Sequence, residues 1–301
     1  MTLGERVGDA GYAAGWRLVR SLPAGLATRL FDAGADVAAR RGGGPAQLRR
    51  NLSRVLGTTA DQVPDELIRA SLRSYARYWR EAFRLPSMDL DELAASLDSS
   101  IHGQEHLNAA LADGRGAVLA LPHSGNWDMA GVWLARTHGT FATVAERLKP
   151  ESLYQRFVAY RESLGFEIFP LSGGEVPPFA ALSERLRENK VVCLLSERDL
   201  ARHGVPVTFF GEPTRMAAGP ARLAIDTGAH LLPVHCYFDG DAWGFSISPR
   251  IDVGEGVETA TQQLADRFAD NIATYPADWH MLQPLWMDDL SDSRRARIEG
   301  T

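Results

Sequence analysis

From residue 116 onward, the sequence alternates between short apolar segments and longer stretches of helical periodicity. The apolar segments are rich in Val, Leu and Phe, which is typical of buried β-strands. Strands that alternate with helices form a sheet whose faces the helices cover. The sequence therefore predicts an α/β fold, with a central mixed sheet flanked by helices and a helical N-terminal region. Strands are predicted at 116–121, 141–145, 166–169, 191–196, 205–210, 231–238 and 243–248, and helices at 127–136, 151–164, 179–189 and 217–227.

The N-terminal third has helical periodicity instead. One helix is predicted from the spacing of its apolar residues, a second between Pro23 and Gly42, and a longer one from Pro64 to Leu85. We assign residues 1–100 to a helical, membrane-facing region of the same domain as an α/β core at 101–301. The apolar residues of the first helix are Leu3, Val7, Ala10, Ala14 and Leu18.

The N-terminal region is also basic. Residues 1–86 contain 14 Arg, no Lys and 8 acidic residues, a net charge of +6, whereas the remainder contains 18 Lys and Arg against 30 acidic residues. The helix at 64–85 interleaves aromatic residues with arginines, which suits an anionic lipid surface. The alternative is a helix that packs its aromatic side chains inward. Its aromatic residues and arginines are Tyr75, Tyr78, Trp79, Phe83, Arg73, Arg77, Arg80 and Arg84.

The cysteines and the apolar runs indicate the cellular compartment of the protein and its relation to a membrane. Cys193 and Cys236 lie in apolar segments, which indicates buried thiols in a reducing environment and no disulfide framework. The first residues lack the basic and apolar regions of a secretory signal. The run at 116–135 is long enough to span a bilayer, but the polar residues in its middle favour a strand, a loop and a helix.

The apolar segment 116–121 leads directly into Pro-His-Ser-Gly-Asn-Trp-Asp at 122–128. His123 is thereby placed where a strand ends, and a neutral imidazole can accept a proton near pH 7. A nearby carboxylate, such as Asp128, can hold the required tautomer. On its own, this spacing indicates no more than a hydrogen-bonded loop histidine.

Three further polar blocks follow later strands, at 146–150, 196–199 and 211–220. Active sites of α/β folds gather at the carboxyl ends of strands. The recurrence of polar residues at these positions therefore predicts one polar site built from several loops.

Together these blocks resemble the bacterial lipid acyltransferase family that includes the lauroyl and myristoyl transferases of lipid A synthesis. The resemblance extends over about residues 65–290, and within the family the segments 122–128 and 145–151 are most similar to the actinobacterial branch that acylates phosphatidylinositol mannosides. The segments that carry the family resemblance are Gly103–Leu107, His123–Asp128, Ser196–Asp199, Phe209–Pro213 and Ala229–Val234.

The resemblance implies transfer of palmitoyl from palmitoyl-CoA to the 6-hydroxyl of the mannose at inositol position 2. The acceptor would be a mono- or dimannosylated phosphatidylinositol. The protein is expected to act as a peripheral monomer on the anionic, cytoplasmic face of the cell inner membrane. Acyl-CoA is expected as a substrate, without a cofactor, a metal or a nucleic-acid partner.

The resemblance also implies roles for the candidate catalytic residues. His123 would deprotonate the sugar hydroxyl as it attacks the thioester, without a covalent acyl-enzyme. Either Glu197 or Asp128 would orient the imidazole. The resemblance favours Glu197 as the direct partner, with Asp128 supporting the loop and the acceptor site.

Four further residues are candidates for substrate binding. Glu146 and Arg161 would hold the acceptor sugar, while Arg198 and Arg215 would contact phosphate. For each arginine, the alternative is an ion pair within the protein.

Two other motifs have competing interpretations. Residues 102–106 match the H-x-x-E-H pattern of inverted zinc peptidases, but the resemblance makes this block structural. Ser124 beside His123 suggests a serine hydrolase, but the G-x-S-x-G elbow is missing.

The functional alternatives are an acyltransferase for a lysophospholipid or a lipid A precursor, a lipid esterase or thioesterase, and a noncatalytic lipid-binding protein.

Overall fold

The computed structural model describes residues 15–147 and 150–299, so most of the predicted first helix lies outside the described residues. Residues 15–21 are helical. Helix α3 is typical of the region, since Asp65 and Glu66 lie in its first turn and Arg84 in its last, where each charge opposes the helix dipole. The N-terminal helices are α1 (Ala24–Arg40), α2 (Ala46–Leu56), α3 (Asp65–Arg84) and α4 (Leu90–Leu97).

The sheet of the core contains seven strands: β1 (Ile101–His102), β2 (Ala117–Leu121), β3 (Phe141–Ala145), β4 (Phe166–Pro170), β5 (Val191–Leu195), β8 (His230–Asp239) and β9 (Ala242–Ile247). A separate hairpin consists of β6 (Val205–Phe209) and β7 (Glu212–Met216). The order within the sheet is β1-β9-β8-β2-β5-β3-β4. Strands β8, β2, β5, β3 and β4 are parallel to one another, whereas β9 is antiparallel to β8 and pairs in parallel with β1. The sheet is therefore mixed, as predicted.

Helices cover both faces of the sheet, which confirms the predicted α/β class. Strand β2 shows why, because Ala117, Leu119 and Leu121 pack into one buried cluster while Val118 and Ala120 pack into another. A strand buried on both faces reads as a continuous apolar run. The helices of the core are α5 (Gln104–Ala112), α6 (Trp127–His138), α7 (Glu151–Ser163), α8 (Pro178–Arg187), α9 (Gly219–Thr227), α10 (Val257–Thr274) and α11 (Asp292–Glu299).

Two strands differ from the sequence-based expectation. The polar block that begins at residue 211 forms β7 of the hairpin, rather than a loop at a strand end. Strand β1 is only two residues long, and its edge position explains why it lacks an apolar run. Both elements pair through backbone groups without needing an apolar sequence, so periodicity does not reveal them.

The helical region and the core share buried residues. Leu85, Leu93 and Leu97 belong to the same apolar cluster as Leu107 and Phe245. The partition at residue 100 stays a prediction. Within the described ranges, no helix combines the length and the apolar character needed to cross a bilayer.

Candidate active site

His123 and Glu197 meet because of the register between β2 and β5. Leu121 pairs with Leu195 in this parallel ladder, and each functional residue follows two positions later. His123 Nδ1 lies 2.8 Å from Glu197 Oε1 and 2.9 Å from Oε2. The backbone N–H of His123 also donates to Glu197 Oε1, at 2.8 Å. Of the two predicted candidates, Glu197 is therefore the carboxylate that contacts the ring.

The environment of the pair sets its protonation. Burial acts to lower the pKa of His123, but the charge of Glu197 and its hydrogen bond outweigh this and raise it. Burial likewise acts to raise the pKa of Glu197, yet the interaction with His123 leaves it lowered. Each partner thus favours the charged form of the other, so an imidazolium formed during a reaction is stabilised.

The ring of His123 remains accessible on one side. Its side chain is 40% exposed, whereas the Glu197 side chain is fully buried. With Nδ1 donating to Glu197, the second nitrogen, Nε2, carries the free lone pair. Nε2 has no hydrogen-bond partner among the residues that the structure describes, and is available to accept a proton.

The loop that carries His123 is fixed by a distant segment of the chain. His280 N donates to His123 O at 2.7 Å, and Gly125 N donates to Asp278 O at 2.9 Å. Between them, Ser124 and Trp279 form an antiparallel bridge. The segment 278–280 therefore pairs with the loop of His123 like a short β-strand.

Gly125 is required by the same packing. Its φ of +54° favours glycine, and a Cβ at this position would lie 2.5 Å from the backbone of Cys236 on β8. Any larger residue would push the loop away from the sheet.

Asp128 lies in the first turn of α6 and is buried. Its Oδ1 accepts from Arg161 Nε at 3.2 Å, and its Oδ2 accepts from Tyr78 OH at 3.3 Å. Burial acts to lower the pKa of Arg161, but the charge and hydrogen bond of Asp128, together with Tyr78 and Tyr160, outweigh this and raise it. Asp128 thus pairs with the candidate sugar-binding arginine, rather than with the imidazole.

A cavity of about 260 Å³ lies between α6 and the sheet, and His123 forms part of its wall. The lining residues from β1, β8 and β9 are all apolar. The charged and titratable ones lie on α6 and α7 or follow β2 and β3, beside apolar residues of β3 and β4. They are His123, Asp128, Glu146 and Arg161, and apolar lining residues include Leu119, Leu121, Val234, Phe245, Ile247 and Ile101.

The four candidate binding residues occupy different positions. Glu146 and Arg161 line the cavity, and Glu146 is exposed. Arg198, next to Glu197, donates through Nε to Pro284 O, and burial together with the charge of Arg294 lowers its pKa. Arg215 donates to the carbonyls of Gly204 and Arg202, so its guanidinium supports a turn beside the hairpin. The structure thus brings Glu146 and Arg161 to His123, and places Arg215 outside the cavity wall.

The four arginines of α3 that the sequence singled out bond within the protein. Arg73 pairs with Asp36, and Arg77 donates to the carbonyls of the turn between β8 and β9. Arg80 and Arg84 donate to Thr28 and to the carbonyls of Val19 and Leu22. Tyr78 is buried. The inward-packing alternative therefore describes much of this helix.

The residues of the two remaining motifs lie away from the ring of His123 or within secondary-structure elements. Ser124 is buried, and its Oγ lies 3.2 Å from His235 Nδ1 rather than beside the ring of His123. His102 is on β1 and His106 on α5. In the described ranges, no three His, Cys, Asp or Glu side chains are grouped closely enough to hold a metal ion.

Sequence reasoning missed two parts of the site. Asn126 caps α6 by accepting from Met129 N at 3.2 Å, and an Asn directly before a helical pattern is the signal for such a cap. The pairing of 278–280 with the loop leaves no local signal, because its two segments are far apart in sequence.

Comparison with known proteins identifies the family of the chain. The profile of the family described as "Bacterial lipid A biosynthesis acyltransferase" matches residues 5–288. A "Phosphatidylinositol mannoside acyltransferase" of Mycolicibacterium smegmatis is 67% identical over 297 residues, covering 98% of this chain and 97% of that protein. A protein of the same name from Mycobacterium tuberculosis (H37Rv) is 65% identical, covering 97% and 92%. The chain therefore belongs to the bacterial lipid A biosynthesis acyltransferase family, and the predicted enzyme class, an O-acyltransferase, is confirmed.

Proposed function

We propose that this enzyme transfers palmitoyl from palmitoyl-CoA to the 6-hydroxyl of the mannose at inositol position 2 of a phosphatidylinositol mannoside. It acts as a peripheral monomer at the cytoplasmic face of the inner membrane, without a cofactor. The observation that carries the proposal is the His123–Glu197 pair at the wall of a cavity lined by a few charged side chains and many apolar ones. The names of the two relatives support the acceptor class.

His123 is the general base of the proposed reaction. Its Nε2 takes the proton of the mannose hydroxyl while the hydroxyl oxygen attacks the thioester carbonyl carbon. The tetrahedral intermediate then expels CoA as the C–S bond breaks, and the imidazolium returns the proton to the leaving thiolate. Glu197 holds the tautomer and stabilises the imidazolium in between.

The two kinds of lining residue suit the two substrates. Apolar side chains such as Val234 and Phe245 provide a surface for the acyl chain, since burial of each methylene contributes about 0.8 kcal/mol. Glu146 and Arg161 offer an acceptor and donors for the hydroxyls of the sugar. Arg198 adjoins Glu197 in the chain and is the candidate for a phosphate; its Nε donates to one backbone carbonyl, whereas Arg215 donates to two.

The experiment is an acceptor panel with labelled palmitoyl-CoA, comparing the unaltered enzyme with His123→Ala. We expect acylated mannoside from the unaltered enzyme and a fall of about 10³-fold or more in the variant, with an unchanged circular dichroism spectrum. An active His123→Ala variant would remove the general base from the mechanism.

The panel also separates the alternative activities. It contains mono- and dimannosylated phosphatidylinositol, a lysophospholipid and a lipid A precursor. Mass spectrometry of the products distinguishes transfer from hydrolysis, because an esterase or thioesterase releases free palmitate. Preferred acylation of another lipid would overturn the proposed acceptor, and free palmitate as the sole product would overturn transfer.

A further inference from the structure

Helix α3 presents three buried polar side chains to the segments that hold His123. Ser74, Tyr78 and Glu81 recur at helical spacing, so they share one face of the helix. Ser74 Oγ donates to Asp278 Oδ1 at 2.7 Å, and Tyr78 OH donates to Asp128. A face buried against the core is usually apolar, and three polar groups on it call for a reason.

Glu81 makes the most extensive contacts of the three. Its Oε2 accepts from Asn126 Nδ2 at 2.7 Å and from Trp243 Nε1 at 2.9 Å. Its Oε1 accepts from Arg77 Nε at 2.7 Å. The side chain of Glu81 is only 6% exposed, and its hydrogen-bond donors fix the position of the carboxylate.

Asn126 connects Glu81 to the catalytic loop. It is three residues after His123, and its Oδ1 caps α6 while its Nδ2 donates to Glu81. The amide group is thus fixed at both ends. A shift of Asn126 would move the loop in which the His123 backbone N–H and ring both bond to Glu197.

We propose that Glu81 is a positioning residue for acyl transfer, which acts through Asn126 to hold the loop of His123 in register with Glu197. The N-terminal helical region therefore takes part in the reaction as well as in packing. This inference rests on the proposal that His123 is the general base.

The first test is Glu81→Gln. Arg77 and Arg80 both donate to Glu81 Oε1, so in the variant they hold the single amide oxygen. The new NH₂ group then faces the donors of Asn126 and Trp243, and the bond to the loop is lost. We expect kcat to fall by about tenfold to a hundredfold, as for an ångström-scale displacement of a reacting group, while the KM for acyl-CoA changes by less than about threefold. A purely structural role would lower the amount of folded enzyme and leave kcat per folded molecule intact.

The second variant is Asn126→Ser, which keeps a side-chain cap for α6 but cannot reach Glu81. We expect the same loss of kcat, and the double variant should lose no more than about twofold beyond the worse single variant, because both remove one interaction. Independent, multiplicative losses would overturn the proposal. If Glu81→Gln does not fold, the Asn126→Ser variant alone tests the proposal. An unimpaired kcat in Asn126→Ser would then overturn it.

Asp36→Asn is the matched control, because it removes a carboxylate that pairs with Arg73 on the same helix, away from the loop. It should keep kcat within about twofold; a loss equal to that of Glu81→Gln would mean that any loosening of α3 suffices and would overturn the specific role. His123→Ala, measured alongside, separates the two proposals. An active His123→Ala variant overturns the general base, whereas an unimpaired Glu81→Gln variant beside an inactive His123→Ala variant overturns the positioning role alone.

Discussion

Glu197 contacts His123 through both of its carboxylate oxygens, at 2.8 and 2.9 Å from Nδ1, and one of them also accepts the backbone N–H of His123. One buried carboxylate thereby fixes the ring and the chain that carries it. The pair is a consequence of strand register, since the two residues follow paired positions of β2 and β5.

The first prediction concerns Glu197→Gln. The variant retains the side-chain volume but loses the charge that stabilises the imidazolium, so we expect kcat to fall by about 10²- to 10⁴-fold. The unaltered enzyme should gain activity as pH rises through a pKa above the ordinary histidine value of 6.5, because the base must be neutral. In the variant, burial and the charges of Arg198 and Arg161 still lower the pKa of His123, so this limb should move to lower pH. A pH profile of kcat/KM measures both effects, and an unmoved limb would contradict them.

The second prediction separates stability from acceptor binding at Arg161. Removal of its guanidinium in Arg161→Ala leaves the buried Asp128 without its cation, and we expect the free energy of unfolding to fall by about 3 kcal/mol or more. Adding Asp128→Asn should recover most of this loss, since the uncompensated charge disappears. Urea unfolding provides the measurement.

Kinetics of the same double variant test the binding role of Arg161. If its guanidinium holds the mannose, the KM for the acceptor stays raised even after stability is recovered. Recovery of both quantities together would show that Arg161 serves the fold through its ion pair alone.

The third prediction addresses the apolar cavity lining from β1, β8 and β9. Val234 is buried and belongs to this lining, so Val234→Phe should leave less room for an acyl chain. We expect the ratio of kcat/KM for palmitoyl-CoA over lauroyl-CoA to fall by about tenfold or more. Val118→Ile, which enlarges a side chain on the opposite face of the same sheet, is the control for overpacking. An unchanged preference in Val234→Phe would place the acyl chain elsewhere.

Much of the fold and part of the site follow from the sequence. The apolar run that ends before Pro122 is predicted as a buried strand, so the residue order places His123 at a strand end. The carboxylate that contacts His123 is harder to predict, because Asp128 is nearer in sequence than Glu197. Register between two parallel strands decides the question, and periodicity carries no register information across such a distance.

One helix with a clear periodic pattern is missing from the predicted set. Helix α10 is absent from the predicted set, although Ala260, Leu264, Phe268 and Ile272 recur every four residues and are all buried. The role of Glu81 has no such signal. In a helix rich in arginine, a glutamate indicates a surface ion pair, and only the packing of α3 on the loop shows that it is buried.

The fourth prediction concerns acid stability. Burial lowers the pKa of His235 to about 4, and burial with the charge of His123 lowers that of His280 to about 3. The unfolded chain binds these protons first as pH falls below 6.5, so each residue lowers the free energy of unfolding, by about 2 kcal/mol at pH 5. His123, whose pKa is raised, acts in the opposite direction.

The acid effect is therefore tested as a difference between proteins. His235→Gln removes one of the two buried imidazoles, and its loss of stability between pH 7.5 and pH 5 should be smaller than that of the unaltered protein by about 2 kcal/mol. Urea unfolding at the two pH values gives the four free energies. Equal losses in both proteins would show that His235 does not titrate upon unfolding.

The last prediction concerns the membrane. Four arginines of α3 bond within the protein, so we look for the membrane contact elsewhere, and α1 exposes Leu26, Leu30 and Val37 by 46%, 54% and 48%. Exposed apolar residues along one helix that also carries exposed arginines suit an anionic bilayer surface. Replacing Leu26 and Leu30 by Gln should weaken binding to anionic vesicles by about tenfold or more in a sedimentation assay.

The control is Ile225→Gln, at an apolar site on α9 that is 39% exposed. This variant should bind as the unaltered protein does. Undiminished binding of the double variant would remove α1 from the membrane contact and leave the exposed Leu18 or the segment before it as the site to test next.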